Sequence, residues 1–214
     1  MTIPTIYRRS GEAVIASYNY TDIVEGTGIV SFYLADTIDL KILTTNAIYS
    51  QVGESNASAG NDSPFVKVLD VDFDATFNLP KIIKGTAYFN IPFELSSASV
   101  SMKYGYLIVR VRKWDGTTET EIANNQGQTL NKDGTAEVCN MESIDVEIPQ
   151  THFKKGETLR ITIEGWGYAN GGTGSAVLRI GHDPQDQSRL DTYFDTPAVI
   201  PAIARAHIPF KIDL

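Results

Sequence analysis

Three carboxylates spaced by two, at Asp70, Asp72 and Asp74, form the densest set of hard oxygen donors in the sequence. On a β-strand this spacing puts all three on one face, where a Ca²⁺ ion could use them. A calcium loop of the EF-hand kind is excluded. Counting from Asp70 puts Ala75 where glycine is needed and Lys81 where a bidentate glutamate belongs. Like charges side by side also keep a strand edge from pairing with other chains, so the expected role is structural. No metal or cofactor is expected.

His152, His182 and His207 each lack the partner at i+2 or i+4 that a local zinc site would supply. Cys139 is the single cysteine, set in AEVCNME with no nucleophile motif around it, so a small buried hydrophobe is the expected role. G-x-S-x-G, a phosphate loop and a dinucleotide fingerprint are all absent, and no catalytic residue is assigned. Trp166 and Tyr168 alternate along the end of an expected strand, where an exposed aromatic pair could stack on a sugar ring or meet a protein.

The elements that carry these residues are strands. In LDVDFDATFNL the odd positions Leu69, Val71, Phe73, Ala75, Phe77 and Leu79 are apolar and the even ones polar, the period of a half-buried strand. The same alternation runs through AYFNIPF, LIVRVR, LRITI, IDVEI and IPFKI. Asp115-Gly116 predicts a tight hairpin after the Leu107 strand, and Lys155-Gly156 another turn. GESNASAGNDSP and GWGYANGGTGS read as long loops. No stretch longer than about ten residues holds a 3.6-residue apolar period, and the best helix candidate, PAIARA, is bracketed by Pro197, Pro201 and Pro209. The expected fold is all-β: one domain over residues 1–214, about ten strands in two packed antiparallel sheets of jelly-roll type.

Composition narrows the partners. The 214 residues carry 18 Lys and Arg against 26 Asp and Glu, a formal charge of -8, so nucleic acid is not expected as a partner. One cysteine allows no internal disulfide, and no apolar run approaches the 18 residues of a membrane helix. Neither export nor membrane attachment is expected.

Three stretches carry a family likeness: the opening EAVIASYNYTDIVEGTGIVSFYLAD, the turn-strand unit HFKKGETLRITIEGWG, and LRIGHDP with the closing IPFKIDL. Together they resemble the small β-sandwich proteins that tailed phages and other double-stranded DNA viruses place on virions as cement, decoration or accessory subunits. The resemblance implies a non-enzymatic virion protein, assembled in the host cytoplasm, which forms homo-oligomers and repeated contacts with other virion proteins. Apolar residues in the Pro-rich ending, Ile203, Ile208 and Phe210, are the expected assembly contacts, since a soluble monomer seldom exposes a large apolar patch. The alternative is a glycan-binding module or adhesin of the same fold that uses Trp166 and Tyr168.

Overall fold

The computed structural model describes residues 16–17, 27–37, 39–60, 65–97, 100–133, 137–172, 174–187, 189–190 and 200–211. Among them there is no helix, and so none long and apolar enough to cross a membrane. The strands are β1 (Ala16–Ser17), β2 (Thr27–Asp36), β3 (Lys41–Thr44), β4 (Glu54–Ala59), β5 (Val66–Thr76), β6 (Lys81–Ser97), β7 (Val100–Trp114) and β8 (Glu119–Gln126). They continue with β9 (Leu130–Asp133), β10 (Val138–Phe153), β11 (Thr158–Gly172), β12 (Ala176–Gly181), β13 (Arg189–Leu190), β14 (Ile200–Pro201) and β15 (Arg205–Lys211).

The all-β expectation holds, with more strands than the sequence suggested. A 13-stranded sheet runs in the order β4-β12-β6-β15-β2-β3-β5-β11-β7-β8, with β1, β9 and β10 paired alongside, while β13 and β14 form a separate pair. The expectation of purely antiparallel pairing needs correction at one point, because β3 meets β5 in parallel at Ile42 and Asp74. PAIARA is not helical; it ends in the start of β15.

Alternation sets the core. Ile83, Ala87, Phe89, Ile91, Phe93 and Leu95 of β6 are fully buried, and so are Leu107, Val109 and Val111 of β7 and Leu159, Ile161 and Ile163 of β11. These two sets come from different parts of the sheet and join one apolar cluster. Leu69, Val71, Phe73 and Phe77 follow the expected period, but β5 stops at Thr76 and Leu79 is 65% exposed.

Both stretches read as loops contain strands. β4 has no apolar alternation of its own and forms because β12 supplies a partner from Ala176↔Ala59 to Gly181↔Glu54. In β11, Gly165 and Gly167 are packing positions. A Cβ on Gly167 would lie 2.8 Å from Leu178 Cδ1 and 2.9 Å from the Tyr104 carbonyl oxygen, and one on Gly165 would lie 2.9 Å from Leu69 Cβ. The Asp115-Gly116 hairpin forms as expected, with Gly116 at φ 96° and the Asp115 carboxylate accepting the Thr117 and Thr118 amides.

Candidate functional site

The outer face of β5, β11 and β7 holds the carboxylates and aromatics singled out in the sequence. Asp74 takes two hydrogen bonds from Arg160, at 2.8 and 2.7 Å, Asp72 accepts the Thr162 hydroxyl, and Asp70 pairs with Lys67 at 2.6 Å. Cross-strand register explains this, since Arg160 sits opposite Asp74 and Thr162 opposite Asp72. Each carboxylate therefore meets a donor from its own sheet, and among the described residues no group of three His, Cys, Asp or Glu could hold a metal.

Farther along β11, the Trp166 ring lies parallel to Tyr106 with centroids 6.3 Å apart, and its Nε1–H donates to Glu164 at 3.0 Å. Tyr168 stacks on Tyr104 at 4.6 Å and meets the edge of Phe65 at 4.7 Å. Both rings are half-buried, and each has a tyrosine against it. Burial pushes the Glu164 carboxyl up, but hydrogen bonds from Arg110, Trp166 and Lys67 outweigh that and hold it down to about 2. This is a charge-matched, packed surface.

Cys139 lies in a row with Glu94 and Arg179 across β10, β6 and β12. Burial, reinforced by the neighbouring Glu94 charge, pushes its thiol up to about 12, so the thiolate needed for nucleophilic attack is scarce at neutral pH.

The histidines gain partners that are distant in sequence. His182 is fully buried, with Nε2 2.8 Å from Ser55 Oγ and its ring edge-on to Phe73. Burial pushes it down to about 4, so it is neutral at pH 7 and enclosed away from any substrate. His152 is exposed and meets Gln150.

His207 differs from both. On the outer face of β15 its Nδ1 is 2.7 Å from Ser31 Oγ on β2. Register places Ser31, His207, Tyr88 and Asp145 in one row across β2, β15, β6 and β10. Tyr33 and Arg205 lie one step along, with the guanidinium 5.2 Å from the ring centre. Arg205 is exposed, Tyr88 is 50% exposed, and Ser31 and His207 are half-buried. Burial, then the Arg205 charge, lowers the His207 pKa, so the imidazole is neutral and able to accept a proton. Sequence inspection missed this pair because 176 positions separate its members, and only strand pairing joins them.

The expected assembly contacts differ in burial within the chain. Ile208 points inward and is fully buried, Phe210 packs its ring against Phe32 and Phe77 in the core's rim, and Ile203 is half-buried. Alternation turns Ile208 toward the chain's own core.

No protein-family model matches the chain. No curated protein matches either. Solved structures do. An aminopeptidase from the marine sediment archaeon Thaumarchaeota archaeon superposes with a TM-score of 0.53 at 8% identity, covering 87% of this chain and 37% of that one. An α-amino acid ester hydrolase superposes with a TM-score of 0.52 at 8% identity, covering 84% of this chain and 36% of that one. The chain thus spans little more than a third of these enzymes, and the likeness is one of fold. The structure of infectious bursal disease virus gives only a weak likeness, with a TM-score of 0.28 at 9% identity over 87% of this chain and 38% of that one. The expectation of a non-enzymatic virion subunit is therefore corrected: the fold is shared with hydrolases, and the viral likeness is too weak to support a capsid role.

Proposed function

We propose that this chain belongs to a hydrolytic enzyme that cleaves acyl bonds, either esters or peptides. The observation carrying the reading is that 84–87% of the chain follows the fold of part of an amino acid ester hydrolase and of an aminopeptidase. Both names denote attack on a carbonyl carbon, a reaction served by a nucleophile, a neutral base and a stabilised oxyanion. The outer face of β2 and β15 supports the reading, because it offers a hydroxyl and a neutral imidazole in hydrogen-bond contact beside a guanidinium. Incubating the purified chain with p-nitrophenyl acetate and with aminoacyl p-nitroanilides tests it. Turnover above the buffer rate for at least one class is expected. Rates equal to buffer for both would overturn the reading.

A further inference from the structure

We infer that the outer face of β5, β11 and β7 binds a neutral, β-linked polysaccharide on an aromatic platform centred on Trp166 and Tyr168. The inference goes beyond the hydrolase reading and stands without it.

Strand pairing lays the platform out in rows. Tyr168 lies opposite Tyr104, Trp166 between Lys67 and Tyr106, and Glu164 between Asp70 and Ile108. Phe65 extends the first row, its ring 4.7 Å from Tyr168 and 4.8 Å from Tyr106. All five rings are half-buried and none belongs to the core cluster, which takes Leu107, Val109, Ile161 and Ile163 from the opposite face of β7 and β11. Rings in face contact hold their carbons about 3.5–4.0 Å apart. The 6.3 Å between the parallel Tyr106 and Trp166 centroids therefore means a sideways displacement, which leaves part of each ring uncovered by the other.

Electrostatics selects a neutral ligand. Lys67 meets Asp70 at 2.6 Å and Glu164 at 3.2 Å, while Arg110 meets Glu164 and Glu121, each at 2.9 Å. The charges beside the rings are matched within the face, so none is left over to draw a polyanion. Lys67 and Asp70 nevertheless reach solvent, where they can exchange hydrogen bonds with hydroxyl groups. A pyranose in a β-linked chain fits both features. Its C–H face lies against the negative face of an aromatic ring, and its equatorial hydroxyls extend sideways to the polar rim. Successive sugars of such a ribbon can follow the rows of an open sheet face.

Affinity electrophoresis of the whole chain in hydroxyethylcellulose, arabinoxylan and galactomannan, with heparin and alginate as anionic controls, tests the inference. Retardation by at least one neutral polymer is expected, and it should persist in about 1 M salt, which screens charge attraction. Trp166→Ala and Tyr168→Ala should each weaken binding at least about tenfold, the scale of a lost aromatic anchor. Phe65 precedes β5 and lies outside the core cluster, so Phe65→Ala should weaken binding while leaving the melting temperature unchanged. Tyr88→Ala removes a tyrosine that is half-exposed on β6 and should bind as the wild type does. Binding to none of the polymers, binding to the anionic ones alone, or neutral binding that survives all three platform substitutions would overturn the inference. A dimer that Phe65→Ala dissociates, with no polysaccharide bound, would overturn it in favour of a protein contact. The ester and anilide assays are read separately, so either reading can fail without the other.

Discussion

Arg179 Nη1 lies 2.9 Å from Glu94 Oε1 across β12 and β6, and the carboxylate it meets is fully buried although it sits on the sheet's outer face. Arg179 itself is one-third exposed, so the pair joins a desolvated acid to a cation that keeps part of its hydration. Desolvation wins: burial pushes the Glu94 carboxyl up to about 7 against the pull of Arg179.

The pH dependence follows from that asymmetry. From 4.5 to about 7 the folded chain holds a proton on Glu94 that the unfolded chain has released, so stability falls as pH rises through this window. The effect reaches up to about 3 kcal/mol, because each tenfold change in proton affinity is worth about 1.4 kcal/mol. Glu94→Gln cannot titrate, so its melting temperature should lose this decline and match or exceed the wild type at pH 8. Denaturant melts at pH 4.5, 6 and 8 check it; an unchanged decline in the variant would place its source elsewhere.

His182 acts with the opposite sign. Its folded pKa, lowered by burial from 6.5 to about 4, gives a contribution that is complete above pH 6.5 and lost as pH falls toward 4, again of order 3 kcal/mol. Between 4.5 and 6.5 the two groups offset each other, so the wild type should show a nearly flat stability profile there. His182→Gln should uncover the Glu94 slope in that window, measured by the same melts. A flat profile in both single variants would contradict the assignment.

Much of the core was legible because alternation needs only local sequence. Leu69, Val71 and Phe73 fall inward on the period they show in the chain. β4 was hidden because its six residues, ESNASA, owe their conformation to β12 more than 100 positions later. The same holds for Ser31, an ordinary strand serine until β15 brings His207 beside it. Trp166 stands out in the sequence as an aromatic near a strand end, but its neighbours Tyr106 and Glu164 show how the ring is held, and the first comes from another strand. Residue types announced the elements, while pairing decided the chemistry.

The glycines of β11 offer a test of packing. Gly167→Ala would push a methyl against both a leucine side chain and a backbone oxygen, and the backbone contact cannot be relieved by a rotamer change. A loss of about 1–3 kcal/mol is expected, the range of overpacking. Gly60→Ala meets nothing within 4 Å and should be near neutral. Adding Leu178→Ala to Gly167→Ala removes one of the two clashes at the cost of a cavity, so it should not restore wild-type stability. Equal melting of Gly60→Ala and Gly167→Ala would refute the assigned contact.

Glu164 gives the last prediction. Its side chain is 3% exposed and receives Arg110 at 2.9 Å, Lys67 at 3.2 Å and the Trp166 indole at 3.0 Å. Three donors on one buried carboxylate explain why it stays ionised where burial alone would neutralise it. Glu164→Gln keeps the shape and removes the charge, leaving Arg110 dependent on Glu121 at the surface. Breaking one side of a buried pair costs about 3–5 kcal/mol, and Arg110 is only partly buried, so about 2–3 kcal/mol is expected at pH 7. The folded carboxyl titrates near 2 against 4.5 in the unfolded chain, so its contribution is complete above pH 4.5 and disappears as pH falls toward 2. The gap between wild type and Glu164→Gln should close over that interval. Trp166 reports the same event, because losing its acceptor should shift its fluorescence in the folded variant at pH 7. A stability gap that persists unchanged at pH 2, or an unaltered Trp166 emission, would show that the carboxylate does not anchor this face.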